Sequence, residues 1–141
     1  MSVEVRRAER DEMDALLDLR HRVFCVEQGV PKREEIDGRD GDALHLVALE
    51  DGRVVGTCRL LFVDRTVQLS RLAVEPDARR RGIATALLHA ADREAEAARA
   101  KRIVLHAQTY AERLYAADGY EPRGRTFVEA GIEHIAMEKR L

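Results

Sequence analysis

The architecture of this chain follows from one segment, Gln68-Leu-Ser-Arg-Leu-Ala-Val-Glu-Pro-Asp-Ala-Arg-Arg-Arg-Gly-Ile-Ala-Thr-Ala-Leu-Leu88. Its apolar start predicts a strand, which ends at Glu75-Pro76-Asp77 because proline cannot donate to a neighbouring strand. Good helix formers follow Gly82, so a helix begins there. Free N–H groups at a helix start attract anions. Gly82 and Ala84 leave those groups accessible and Arg79-Arg80-Arg81 add positive charge, so the turn suits a phosphate or pyrophosphate.

Three alternatives compete with a phosphate site at this turn. A nucleotide-hydrolysing P-loop needs Gly-Lys-Ser/Thr, and a dinucleotide fold needs Gly-x-Gly-x-x-Gly; the segment contains neither. The third alternative is a tight strand-to-helix turn whose arginines are simply solvated. These few residues alone leave that third alternative open.

Composition and charge describe one globular domain. The chain has 141 residues, 45% of them apolar and 35% charged, which is enough for one core and short for two. Its net charge is -2, because 26 acidic residues offset 24 basic ones. That balance argues against a nucleic-acid binder. We therefore expect a single domain over residues 1–141 that binds no nucleic acid.

Neither targeting nor membrane insertion is predicted. The start, Met1-Ser-Val-Glu-Val-Arg-Arg7, lacks the apolar stretch of a signal peptide, and no apolar run approaches the ~20 residues of a membrane span. Cys25 and Cys58 form neither a disulfide framework nor a metal spacing. We expect a cytoplasmic protein with free thiols and no metal.

The hydrophobic pattern predicts the order β, α, β, β, β, α, β, α, β, β. Apolar spacings of three and four indicate a helix over residues 10–28, and another helix runs from Gly82 to about Ala100. Asp51-Gly52 joins strands 44–50 and 53–63 in a two-residue hairpin. A three-stranded meander followed by a crossover helix fits an α/β (α+β) fold. Its single mixed, mostly antiparallel sheet would carry helices on both faces.

Other signals refine this outline. Gly56 inside a strand indicates a bulge. Ile103-Val-Leu105 predicts a central strand covered on both faces. A short helix is predicted over residues 111–118, and a last strand over 132–141. Residues 32–42 are polar and predict a long loop, of the kind that often carries function.

The turn motif and several other segments resemble one enzyme family. Arg79, Gly82 and Ala84 fill the fixed positions of Arg/Gln-x-x-Gly-x-Gly/Ala, the acetyl-CoA-binding motif of the GNAT N-acetyltransferases. The predicted element order is similar to the GNAT fold nearly end to end. Four more segments resemble the ElaA-like branch of that family: Val23-Phe-Cys-Val-Glu-Gln28, Glu34-Glu-Ile-Asp-Gly-Arg-Asp40, His106-Ala-Gln108 and Phe127-Val-Glu-Ala-Gly-Ile-Glu-His134.

The resemblance implies a domain that moves an acetyl group from acetyl-CoA to a primary amine, directly within a ternary complex. The cofactor would lie where the strand at 67–74 splays from its neighbour, with pyrophosphate on the following turn. Gln108 replaces the usual Asn of the family but keeps an amide. The cofactor-binding residues that the resemblance implies are Leu72, Ala73, Val74, Arg79, Arg80, Arg81, Gly82, Ile83, Ala84 and Gln108.

Catalytic roles are implied in the same way. The amide at Leu72, or just after it, would donate to the oxyanion, and Tyr115 would protonate the leaving thiolate. A covalent acetyl-cysteine is disfavoured because neither cysteine lies on the predicted strand at 67–74 or on the predicted short helix at 111–118. A base acting through water also stays open. The candidate bases are Glu27, His45, Glu129 and His134, with His106 less favoured. Of these, Glu27 and His134 are preferred. The residues expected to contact the acceptor are Phe24, Glu27, His45 and Glu129.

The acceptor is predicted from charge. Segments 23–40 and 127–134 carry more acidic than basic residues, which favours a small polar, cationic amine. A homodimer stays open. Two further alternatives are a non-catalytic acyl-CoA-binding sensor on the same fold and, more weakly, a phosphate-binding partner domain.

Overall fold

The computed structural model describes residues 2–141, which form a seven-stranded sheet with helices on both faces. The strands are β1 Val3–Arg7, β2 Leu44–Glu50, β3 Arg53–Val63, β4 Thr66–Val74, β5 Arg102–Gln108, β6 Glu121–Glu129 and β7 Ile132–Arg140. The helices are α1 Met13–Arg20, α2 Lys32–Glu35, α3 Ile83–Ala97 and α4 Glu112–Ala117. A π-helical segment, His21–Glu27, continues α1, and 3₁₀ turns lie at Arg10–Glu12, Asp40–Asp42, Pro76–Ala78 and Thr109–Ala111.

The sheet is mixed and mostly antiparallel, as predicted. Its strand order is β1-β2-β3-β4-β5-β7-β6, and only β4 and β5 pair in parallel among the described strands. The β2–β3 hairpin turns at Asp51 and Gly52, with φ values of 52° and 77°. Two positive φ values are those of a type I′ turn, which matches the twist of the strands. The predicted element order is therefore confirmed.

Two apolar cores lie on opposite faces of the sheet. Leu46 and Ala48 of β2 belong to the core that includes Leu87 of α3. Val47, between them, belongs to the core that includes Leu16 of α1. Because successive side chains of a strand point to opposite faces, α1 and α3 cover opposite faces of the sheet.

Gly56 marks the bulge that the sequence predicts. The β2–β3 ladder shifts register between Ala48 and Leu49, opposite this glycine. A Cβ at Gly56 would lie 2.9 Å from Cγ2 of Ile83 and 3.1 Å from Cδ1 of Leu87. The glycine therefore lets the first turn of α3 approach the sheet more closely than a larger residue would.

The structure differs from the predicted elements in two details. The helix expected over residues 10–28 is a 3₁₀ turn, α1 and the π-helical segment in succession. β5 is central, but Val104 is only half-buried while Ile103 and Leu105 are buried, so its second face is partly covered. Within residues 2–141, no helix is long and apolar enough to cross a membrane.

Candidate active site

A cleft opens where β4 and β5 separate. The two strands pair only from Thr66 to Gln68 on β4 and from Arg102 to Val104 on β5. Beyond these pairs β4 continues to Val74 with β3 on its other side, and the cleft lies between the diverging strands. Its volume is about 960 Å³, a size that suits a ligand larger than a single small metabolite.

β4 is bulged beside this cleft. Ser70 pairs with Arg59 and Ala73 with Thr57, so Arg71 and Leu72 together face one residue of β3. Arg71 has φ of 57°, a left-handed conformation that residues with a Cβ rarely adopt. Leu72, Ala73 and Val74 line the cleft.

The turn after β4 presents the start of α3 to the cleft. Gly82 caps the helix with φ of 82°, and a Cβ at that position would meet no atom of the described residues within 4 Å. The glycine is therefore explained by its backbone conformation and by open space, not by close packing. Gly82, Ile83 and Ala84 line the cleft, where their N–H groups can meet an anion.

The three arginines of this turn are not equivalent. Arg79 donates to the Val74 carbonyl at 3.0 Å and to both carboxylate oxygens of Glu27 at 2.7 Å. Arg81 pairs with Glu50 and does not line the cleft. Arg80 lines the cleft and is exposed, with no ion pair to any residue in 2–141. The positive charge expected at the turn is thus carried mainly by Arg80.

The end of the π-helical segment contacts both sides of the cleft. Glu27 reaches the turn after β4 through Arg79. Gln28 accepts a hydrogen bond from Gln108 Nε2 at 2.9 Å and donates to the Tyr110 hydroxyl at 3.3 Å. Gln28 and Tyr110 were not predicted as site residues, because the hydrogen bonds that bring them to the cleft join residues far apart in sequence.

Two residues expected at the acceptor site lie outside the cleft. The Arg79 guanidinium lowers the pKa of Glu27 from its ordinary value, and a carboxylate with a lowered pKa is a weak proton acceptor. Glu27 itself does not line the cleft. His45 is buried on β2, where its Nε2 lies 3.0 Å from the Asp40 carbonyl, and it does not line the cleft either. The acceptor contacts predicted for Glu27 and His45 stay predictions, and neither residue lines this cleft.

Tyr115 lies on α4 and lines the cleft. Burial raises its pKa, so the hydroxyl keeps its proton across ordinary working pH. That hydroxyl makes no hydrogen bond to any residue in 2–141. Its ring packs edge-to-face on Tyr120, with centroids 5.9 Å apart. The side chain is therefore fixed by packing while its proton stays available.

The two thiols are poorly suited to nucleophilic attack. Cys58 is buried, and burial raises the pKa of its thiol to about 12. Burial also raises the pKa of Cys25. Because the thiolate is the nucleophile, both residues are weak candidates for a covalent acetyl-enzyme.

A second polar group lines the cleft at the β6–β7 hairpin. His134 is buried, and its Nδ1 lies 2.7 Å from the Ile132 carbonyl. That carbonyl can only accept, so Nδ1 carries a proton and Nε2 of the neutral ring has a free lone pair. Nε2 lies 3.9 Å from Oε2 of Glu129, whose Oε1 lies 3.1 Å from His106 Nδ1. Phe127 stacks on His134, with centroids 6.0 Å apart.

The remaining wall is built by a closed set of ion pairs, here called the ion ring. Acidic and basic side chains alternate around it, and each pairs with two neighbours at distances from 2.5 to 3.4 Å. In order, the members are Arg20, Glu35, Arg71, Asp37, Arg59 and Asp40. The ring ties residues 32–42 to α1, β3 and β4.

The ion ring removes the acidic excess expected at the acceptor end. Glu35, Asp37 and Asp40 lie in the segments that were counted as acidic, but their partners Arg20, Arg59 and Arg71 lie outside those segments. The hydrogen bond from Arg59 lowers the pKa of Asp37 well below its usual range. The charges of these three carboxylates are therefore balanced by buried Arg20 and Arg59 and by half-buried Arg71.

Comparison with known proteins finds relatives along the whole chain. A family model described as Acetyltransferase (GNAT) domain matches residues 12–141. The uncharacterized N-acetyltransferase YjcF of Bacillus subtilis (strain 168) is 31% identical over 140 residues, which cover 99% of each chain.

Solved structures extend this likeness to the fold. Escherichia coli ElaA has a TM-score of 0.88 at 27% identity, covering 99% of this chain and 100% of ElaA. An acyl-CoA N-acyltransferase from Pseudomonas aeruginosa has a TM-score of 0.85 at 31% identity, covering 98% of this chain and 99% of that one.

Proposed function

The chain belongs to the GNAT acetyltransferase family and is an acyltransferase, and from that premise we propose that it transfers an acetyl group from acetyl-CoA to a primary amine. The acceptor is a small polar molecule, and transfer is direct within a ternary complex. One observation carries the proposal: the cleft between β4 and β5 runs to the exposed N-terminus of α3 at Gly82. A thioester arm and an anionic pyrophosphate need such a pair of features.

The cofactor would be held mostly by backbone groups. The strand edge from Leu72 to Val74 offers N–H and C=O groups to the amide-containing arm. The N–H groups around Gly82, with Arg80 beside them, suit the pyrophosphate. Gln108 lines the same cleft and can hold the arm through its side-chain amide. Bound acetyl-CoA supplies an activated acyl group and a thiolate leaving group.

Two groups of the chain would assist bond breaking. In the proposed reaction, the Leu72 N–H donates to the carbonyl oxygen as negative charge develops on it. Tyr115 donates its proton to the departing sulfur, which its raised pKa permits by keeping the phenol protonated. The phenol then regains a proton from solvent.

His134 is the base that the geometry favours. The Ile132 carbonyl fixes its Nδ1 proton, so Nε2 can take the proton that the amine loses. Glu129, 3.9 Å from Nε2, can accept a hydrogen bond from the incoming neutral amine and stabilise the imidazolium that forms. Glu27 is less suited to this role because Arg79 lowers its pKa.

Mostly polar side chains surround the end of the cleft where the acceptor would enter. One side is lined by Arg33, Glu34, Glu35, Asp37 and Arg39, and another by Glu129, Ala130, Ile132 and His134. Both walls are polar, and the ion ring makes one of them rigid and neutral overall. A small polar amine fits this site better than an extended protein tail.

A panel of amines with acetyl-CoA tests the proposal. Thiol release would be followed with D-glucosamine, spermidine, L-lysine and L-aspartate, and acetyl-CoA binding would be measured separately by calorimetry. We expect saturable turnover with at least one acceptor, loss of turnover in His134→Asn, and an unchanged Kd for acetyl-CoA in that variant. His89→Asn, an exposed histidine outside the cleft, is the matched control. Binding of acetyl-CoA without turnover of any amine would contradict the proposal.

Three finer predictions from the sequence belong with this proposal. They are a cytoplasmic location, a reaction without a metal, and the option of a homodimer. Composition and cysteine usage support the first, and the absence of a metal-ligand spacing in the sequence supports the second.

A further inference from the structure

Arg71 occupies an unusual place between the cleft and the ion ring. It is the bulged residue of β4, and its φ of 57° disfavours any residue that has a Cβ. Strained backbone of this kind persists only where surrounding contacts hold it, and it is often found at functional sites.

Residues 34–37 bind the side chain of Arg71 through its Nε and Nη2 atoms. Its Nε donates to Glu35 Oε2 at 3.0 Å, and its Nη2 donates to the backbone carbonyls of Glu34 at 3.2 Å and Glu35 at 3.0 Å. Nη2 also lies 3.4 Å from Asp37 Oδ2. Glu35 is in turn buried and paired with buried Arg20. These bonds anchor the guanidinium of Arg71 to residues 34–37.

The bulge also determines where the next amide points. Arg71 and Leu72 share a single opposing residue on β3, so the ladder cannot satisfy both of their N–H groups. A rotation of Arg71 to negative φ would reorient the peptide that joins it to Leu72. The N–H of that peptide belongs to Leu72, which lines the cleft.

We propose that Arg71 is a positioning residue, held in its left-handed conformation by the ion ring so that the Leu72 N–H is aimed at the reacting carbonyl. This inference rests on the proposed function, in which that N–H is the oxyanion donor. The ion ring then acts on catalysis through the backbone of β4.

Two substitutions at one position separate backbone conformation from side-chain contacts. Arg71→Ala and Arg71→Gly both delete the ion-ring contacts, but only glycine adopts positive φ without strain. Asp64, in the exposed β3–β4 turn, has φ of 54° and is a matched position away from the cleft. Asp64→Ala and Asp64→Gly therefore show how replacing a residue at positive φ affects the protein when the position lies outside the cleft.

The readouts are kcat with the fastest acceptor of the panel, the Kd for acetyl-CoA, and the amide NMR signal of Leu72 in ¹⁵N-leucine-labelled protein. We expect Arg71→Ala to lose about tenfold or more in kcat, since a misaimed oxyanion donor costs up to ~10²–10³-fold. Arg71→Gly should keep kcat at least tenfold above Arg71→Ala. Kd should change little in either variant, and the Asp64 pair should leave kcat unchanged.

Equal losses of kcat in Arg71→Ala and Arg71→Gly would overturn the inference, because they would assign the effect to the lost side chain. An unchanged kcat in Arg71→Ala would overturn it as well. If Arg71→Ala does not fold, Asp37→Asn opens the ion ring without altering β4, and the same comparison of kcat and Kd applies. The Leu72 amide signal tests the inference without any acceptor: it should move in Arg71→Ala and stay near its wild-type position in Arg71→Gly. The Leu72 signal therefore tests the role of Arg71 separately, whereas the amine panel tests the proposed acetyl transfer.

Discussion

At the scale of single residues, the contacts of a side chain indicate its role in the cleft better than its residue type does. Arg79, Arg80 and Arg81 are adjacent in sequence, yet Arg79 and Arg81 are held by carboxylates while Arg80 faces the cleft without such a partner in residues 2–141. Tyr115 and Tyr120 are likewise adjacent in space and both buried. Only Tyr115 lines the cleft. These contrasts supply matched pairs for experiment.

Tyr115→Phe is expected to lower kcat by roughly 10²-fold, the usual scale for losing a general acid, with little change in the Kd for acetyl-CoA. The substitution keeps the ring and its packing and deletes only the proton. The control is Tyr120→Phe, which deletes a buried hydroxyl that has no hydrogen-bond partner among the described residues. Stopped-flow or steady-state thiol release would compare the two. Equal turnover in Tyr115→Phe and wild type would make Tyr115 a packing residue.

Gly82→Glu is expected to raise the Kd for acetyl-CoA at least tenfold, or ~1.4 kcal/mol, because it places bulk and negative charge at the proposed pyrophosphate site. The substitution also strains the backbone, because φ is 82° at this position and residues with a Cβ disfavour that conformation. Gly52→Glu is the control, because Gly52 has φ of 77° and equally open surroundings but lies in the β2–β3 turn. Calorimetry on both folded variants decides: an equal Kd in the two would reject the phosphate site.

At the scale of elements, residues 32–42 are held by side chains more than by regular structure. The segment contains only the short α2 and one 3₁₀ turn. The ion ring fastens it through three arginines that α1, β3 and β4 supply. Its position over the cleft therefore depends on charge, and charge depends on pH.

Acid should lower the free energy of unfolding by weakening the ion pairs of residues 32–42, and Asp37→Asn should make this loss smaller. Arg59 holds the pKa of Asp37 below its unfolded value, so the unfolded chain binds more protons at low pH. The contribution of Asp37 to stability is complete above the unfolded pKa of ~3.9 and is lost as pH falls through the folded pKa. Urea unfolding of wild type and Asp37→Asn at pH 6 and pH 3 should show a smaller loss in the variant.

Asp64→Asn is the control for that measurement, because Asp64 is exposed and forms no ion pair with residues 2–141. Its loss of unfolding free energy between the two pH values should match that of wild type. A loss in Asp37→Asn as large as in wild type would mean that the Arg59 contact does not stabilise the fold.

At the scale of the whole molecule, local patterns were sufficient for the order of elements. Apolar spacing, Asp51-Gly52 and the glycine at Gly56 each act over a few residues, and the structure has the predicted hairpin and bulge. The turn at Gly82 was predictable for the same reason, because helix start signals are local.

The details of the site were less predictable, because they depend on contacts between residues distant in sequence. Charge counting placed acidic groups at the acceptor end but could not see that Arg59 and Arg71 neutralise them from other strands. His45 lies near the same segment in sequence, yet its strand turns it to a backbone carbonyl. The link from Gln28 to Gln108 spans 80 positions, and no short pattern marks it.

The tight fit at Gly56 means that cofactor affinity can be tuned from inside the protein. A methyl group there would push against Ile83, the first residue of α3, and so displace the N–H groups proposed to hold the pyrophosphate. Gly56→Ala should therefore weaken acetyl-CoA in calorimetry, whereas Gly41→Ala, whose added methyl meets nothing within 4 Å, should not. Gly56 does not line the cleft, so such a change would alter cofactor affinity only through the position of α3.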